Sequence, residues 1–132
     1  MDFVSARIIT NDIKRLVRFY EDIGLQATWY TEEFAELSTE TCTLAIGSKR
    51  TMEMFGAGAA TPESNRSLIL EFRVHDVDET YRKLEARLKD VVQTPTTQPW
   101  GNRSLLFRDP DGNLVNFFTP VSPEAIRKYE RE

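Results

Sequence analysis

One segment of this chain occurs twice, and that repeat limits what the chain can fold into. Ala6, Ile8 and Thr10 alternate with Arg7 and Ile9, a period of two that suits a strand. Asn11-Asp12 then supplies an N-cap, Ile13, Leu16, Val17 and Tyr20 recur at helical spacing, and Gly24 ends the segment. The same series returns downstream. Leu70, Phe72 and Val74 alternate with Glu71 and Arg73, His75-Asp76 follows, and Val77, Tyr81, Leu84 and Leu88 recur at helical spacing. The two caps lie 64 positions apart (76 − 12), and at that offset Ile8 falls on Phe72, Thr10 on Val74, Ile13 on Val77 and Tyr20 on Leu84. The sequence is an internal duplication in which each half is a strand, a helix and further strands.

The remaining strands are expected at Gln26–Thr31, Phe34–Thr39 and Cys42–Ile46 in the first half. In the second half they are expected at Asp90–Gln93, Arg103–Arg108 and Leu114–Thr119. Asp109-Pro110-Asp111-Gly112-Asn113 turns the last hairpin: Pro presets φ, Asp accepts local amide hydrogen bonds and Gly takes positive φ. This gives one domain of two modules, 1–56 and 67–121, with a Gly-, Ala-, Pro- and Ser-rich linker at 57–66. Ser122-Pro123-Glu124 opens a final helix over 122–132.

Composition narrows the function. The 132 residues carry 17 basic and 21 acidic side chains, interspersed, for a net charge of -4. No basic patch is large enough to grip a phosphate backbone, which argues against nucleic acid as a partner. No apolar run approaches the roughly 20 residues of a membrane helix, and the first residues lack the pattern of a secretory signal. A soluble, cytoplasmic protein is expected. There is one cysteine, Cys42, and one histidine, His75. An internal disulfide is impossible, and histidine-rich metal or hydrolase centres are mostly excluded. Cys42, opening an apolar strand, reads as a small buried hydrophobe; His75, before a cap, reads as a solvated turn residue.

The strand ending in Asn11-Asp12, the helix from Arg18-Phe19-Tyr20 to Gly24-Leu25, Trp100-Gly101 and the Asp-Pro-Asp-Gly-Asn turn together resemble the vicinal oxygen chelate superfamily. That group includes glyoxalase I, bleomycin-resistance proteins and extradiol dioxygenases. The resemblance implies an α+β fold: two tandem βαβββ modules whose curled mixed sheets surround a shared cleft, with helices outside. It also implies metal ligands on the first strand of each module and on the last strands. In this sequence those positions hold Ser5, Ile69, Asn116 and either Leu44 or Ala45. Isoleucine offers no lone pair, and Ser and Asn are weak neutral donors to a dication. No metal and no other cofactor is therefore expected.

Strand alternation assigns faces. With Ala6, Ile8 and Thr10 toward the helices, Ser5, Arg7 and Ile9 face the cleft, as do Ile69, Glu71 and Arg73. Arg103, Leu105 and Phe107 are assigned to the same side, together with Leu114, Asn116 and Phe118. Trp29, Tyr30, Phe34, Met52, Met54, Phe55 and Trp100 are rim candidates, since aromatic faces bind flat ligands and Met adapts to irregular ones. Leu105, Phe107 and Phe118 also suit plain core. Trp100, in a loop before Gly101, has less structural reason to be aromatic. Arg7 and Glu71 occupy equivalent positions and suit a buried ion pair that docks the modules. Glu71 alternatively serves as an anchor for a cationic ligand or as a weak candidate catalytic base.

The residues thus point to a binding protein of the bleomycin-resistance kind, sequestering a planar, amphipathic or antibiotic-like organic molecule. Trp100, Phe107, Phe118, Asn116, Arg7, Glu71, Arg103, Trp29 and Met54 are the candidate ligand contacts. The alternative is a family enzyme (lyase, isomerase or dioxygenase-like) with an atypical or absent metal site. A homodimer is expected, because twofold closure is the commonest soluble assembly.

Overall fold

Asp12 starts the first helix because its carboxylate accepts the backbone N–H of Arg15 at 3.1 Å, satisfying a donor that the helix itself leaves unpaired. In the computed structural model, which describes residues 1–130, that cap joins strand β1 (Ser5–Thr10) to helix α1 (Ile13–Asp22). Strands β2 (Ala27–Thr31), β3 (Phe34–Ser38) and β4 (Thr43–Ser48) follow, and then a 3-10 turn at Lys49–Glu53. The sheet runs β1-β4-β3-β2, with β1 parallel to β4 and the other pairs antiparallel. Helix α1 buries Ile13, Leu16, Val17 and Tyr20, and the sheet contributes Ala35, Leu37, Leu44 and Ile46 to the same core.

The second unit repeats the plan. Strand β5 (Ile69–Arg73) and helix α2 (Val77–Leu84) precede β6 (Val91–Thr97), β7 (Asn102–Arg108) and β8 (Leu114–Pro120), in sheet order β5-β8-β7-β6. Asp76 caps α2 by accepting from Asp78 N and Glu79 N. Thr119 Oγ1 pins the same helix start, accepting from Val77 N and donating to Val74 O, each at 2.9 Å. The duplication, the βαβββ order and the mixed sheets are those the sequence predicts. Neither sheet closes on itself. The chain divides into two compact units, Met1–Asn65 and a second beginning at Arg66.

Asp109 organises the β7–β8 turn. Its Oδ1 accepts from Asp111 N and Asn113 N, both at 2.9 Å, and its Oδ2 accepts from Asn113 Nδ2 at 2.9 Å. Gly112 takes the positive φ, 86°, that the turn demands. Helix α3 (Pro123–Glu130) packs its start on the backbone of Gly101, whose carbonyl accepts from Val121 N and Ser122 N. The predicted last two residues of this helix lie outside the described residues.

Some boundaries differ from expectation. Strand β6 extends through Pro95 to Thr97, tolerated because it is an edge strand with bulges in its register. Helix α2 ends at Leu84, although Leu88 continues the apolar spacing and is buried beyond it. Cys42 is exposed rather than buried, since β4 begins one residue later, at Thr43.

Candidate functional site

Paired residues on neighbouring strands share a face, so register decides which side chains can act together. In the second module Glu71 pairs with Asn116, and Asn116 pairs with Leu106. Ile69, Glu71 and Arg73 therefore stand beside Leu114, Asn116 and Phe118, as predicted. Asn116 Nδ2 donates to Glu71 Oε2 at 2.9 Å. Its carbonyl oxygen, Oδ1, is buried without a hydrogen-bond partner.

The same register corrects the predicted faces of β7. Leu105 pairs with Phe117, Phe107 with Val115 and Arg103 with Thr119, so all three lie on the α2 side, opposite Glu71 and Asn116. Phe107 is fully buried and meets Phe117 edge to face at 5.1 Å. Arg103 makes a two-pronged pair with Asp78 of α2, Nε to Oδ2 at 2.8 Å and Nη2 to Oδ1 at 3.1 Å. That hydrogen bond holds the Asp78 carboxyl below its ordinary range and raises Arg103. The five-residue turn sets Arg108 opposite Leu114, which puts even positions against even; sequence alternation carried odd against even.

Phe118 is buried beneath Tyr129 of α3, ring centroids 5.3 Å apart. Arg73 lies over the same ring and donates to the Tyr129 carbonyl at 3.2 Å. A groove of about 510 Å³ opens there, lined by Arg73, His75, Thr119, Ile126 and Tyr129 among others. His75 is exposed, as a turn histidine should be. Trp100 sits in the β6–β7 loop and is 67% exposed, unusual for an indole with no packing duty.

In the first module Arg7 pairs with Ala45, so Ala45 and not Leu44 is the position equivalent to Asn116. Leu44 belongs to the α1 core. The guanidinium of Arg7 lies 4.6 Å from the Phe34 ring centroid and 5.2 Å from that of Phe55. Tyr30 stands 6.0 Å from Phe34, and the negative charge of Glu36 raises the Tyr30 pKa, helped by a hydrogen bond between them. Trp29 pairs with Ala35 and so shares the α1 face, away from Arg7, while Met54 is exposed beyond the 3-10 turn. Met52, expected at a rim, is buried. Arg7 and Glu71 each have partners inside their own module: two rings for Arg7, the Asn116 amide for Glu71.

The positions that the resemblance assigns to metal do not fit a dication. Ile69 is apolar, Ala45 offers no side-chain donor, and Asn116, its nitrogen bonded to Glu71, offers only a neutral carbonyl oxygen. Among the described residues no three His, Cys, Asp or Glu side chains are grouped to hold an ion. No helix among them is long and apolar enough to cross a membrane.

Comparison with known proteins is consistent with the geometry. The model of the Glyoxalase/Bleomycin resistance protein/Dioxygenase superfamily matches residues 2–117. An uncharacterized protein of Bacillus subtilis (strain 168), YraH, is 32% identical over 125 residues, 89% of this chain and 98% of its own. A glyoxalase/bleomycin resistance protein/dioxygenase family enzyme from Burkholderia phytofirmans PsJN has a TM-score of 0.80 at 19% identity, covering 92% of this chain and 100% of that one. A protein of unknown function from Agrobacterium tumefaciens str. C58 has a TM-score of 0.78 at 24% identity, covering 92% and 95%. At such identities these two structures speak for the fold alone.

Proposed function

This chain belongs to the Glyoxalase/Bleomycin resistance protein/Dioxygenase superfamily, and from that premise we propose that it binds a planar or amphipathic organic molecule without a metal. The observation that carries this is the chemistry at the inherited ligand positions. Ile69 and Asn116 share one sheet face, yet the first has no donor atom and the second offers only a neutral carbonyl oxygen, a weak ligand for a dication. A tightly held transition-metal dication takes several anionic or imidazole ligands, and this face supplies one carboxylate, Glu71.

Each module is taken separately: the strand face carrying Arg7 is a proposed contact surface in the first, and that carrying Glu71 and Asn116 is one in the second. Trp100 is a further flat anchor and Phe118 the apolar floor beneath Tyr129. Trp29 and Met54 are outer contacts at most. Phe107 and Arg103 serve as scaffold, because both are held against α2. The working assembly is a homodimer in the cytoplasm: twofold closure is the commonest arrangement of soluble chains, and the exposed thiol of Cys42 suits a reducing compartment.

A second function, as an enzyme, is favoured by one feature: Glu71 is an exposed carboxylate oriented by a buried amide, as a general base would be. A thermal-shift screen of planar aromatic compounds, run with and without a chelator, separates the two. Binding predicts compounds that raise Tm equally in both conditions. No stabilising compound, or stabilisation that the chelator abolishes, contradicts it.

A further inference from the structure

We propose that Arg7, clamped between Phe34 and Phe55, is a receptor for the carboxylate of a planar aromatic acid; this rests on the ligand-binding function above and names its ligand class. The two rings lie within stacking distance of the guanidinium, 4.6 and 5.2 Å from centroid to Cζ. None of its donors is matched by a carboxylate or carbonyl of the first module. A guanidinium presents five N–H donors in a rigid fork at its edge, which fits the two oxygens of a carboxylate side by side. Ring contacts hold the side chain in place, so less rotamer freedom is lost when an anion docks.

The surroundings favour a flat acid over a bare anion. Arg7 is exposed, Phe55 is 67% exposed and Tyr30 61% exposed, so aromatic surface flanks the cation without cover. Phe34 pairs with Gly47, so no side chain stands beside its ring at that position. The carboxylate in the same strand row, Glu36, acts on Tyr30, whose pKa its charge raises.

The test compares 2-naphthoate with its neutral counterpart 2-naphthol, by calorimetry, on the full chain and on Arg7→Gln, Arg7→Lys and Phe55→Ala. All three substitutions are at exposed side chains, and unchanged Tm confirms that each variant is folded. Naphthoate is expected to bind the parent about tenfold more tightly than naphthol, in line with a charge-assisted bond. Arg7→Gln should erase that preference, Arg7→Lys should keep only a minor part of it, and Phe55→Ala should weaken naphthoate several-fold. Equal affinity for both compounds in the parent, or a preference that survives Arg7→Gln, overturns the carboxylate receptor while leaving a ligand-binding protein. Failure of both compounds to bind overturns the receptor and the ligand-binding function together.

Discussion

Asn116 gives an amide hydrogen to Glu71 across the paired strands β8 and β5, Nδ2 to Oε2 at 2.9 Å. Where the family resemblance expects an anionic metal ligand, a neutral amide instead neutralises the approach of its neighbouring carboxylate. Replacing Asn116 with Asp would set two carboxylates side by side, and like charges on paired strands repel. Asn116→Asp should cost about 1–3 kcal/mol at neutral pH, the usual penalty for a lost bond to a charged group. Adding Glu71→Gln should recover most of that loss, because Gln again donates. Urea denaturation of the two variants checks both outcomes; a double variant no more stable than the single one would contradict the pairing.

Trp100 is exposed in its loop, so Trp100→Ala should leave stability within about 0.5 kcal/mol of the parent. Binding of planar ligands should weaken several-fold, since ring stacking adds about 0.5–1.5 kcal/mol to area burial. Calorimetry alongside thermal melts separates the two effects.

The Asp78–Arg103 pair predicts a pH signature. Arg103 lowers the Asp78 pKa, so the pair stabilises the fold above the ordinary Asp pKa of about 3.9 and its contribution fades as pH falls through the lowered value. Both side chains are partly exposed, 34% and 41%, so the effect is small. Asp78→Asn should reduce the urea midpoint slightly at pH 7, and the gap from the parent should close as pH drops below about 3.9. A gap that widens on acidification would contradict the assignment.

Gly101 has φ +99°, and a Cβ there would overlap Ser122 Oγ and come within 3.1 Å of Ala125 Cβ. Gly101→Ala should destabilise by about 1–3 kcal/mol through backbone strain and lifting of α3. Ser122→Ala in the same chain should relieve only part of this, because the positive φ remains. Thermal denaturation of the single and double variants measures the difference.

How much of this is legible in the sequence depends on distance along the chain. The strand, Asp cap and helix of each half are local patterns, and so is the Asp109–Asn113 turn; all four are read from spacing. The face of β7 is not, because alternation says nothing about how a loop sets one strand against the next. Alternation alone therefore places Phe107 and Arg103 beside Asn116, where the register puts Leu106. The choice between Leu44 and Ala45 fails for the same reason, and pairing of Ala45 with Arg7 resolves it. The rings around Arg7 come from Phe34, across the sheet, and Phe55, beyond the 3-10 turn. The i, i+2 spacing of Phe34 and Glu36 puts those two on one face, but only the register brings Arg7 to them.

The metal-independent binding proposed for this protein is tested most directly by one titration. The chain is dialysed against a chelator, its metal content is measured, and 2-naphthoate is titrated before and after equimolar zinc, nickel, manganese and iron(II) are offered. The expected result is less than about one tenth of an equivalent of any metal per chain and an unchanged Kd throughout, because Ile69 and Ala45 carry no ligating atom and Asn116 only a neutral one. Stoichiometric metal that survives dialysis, or affinity that appears only with a metal present, would contradict it.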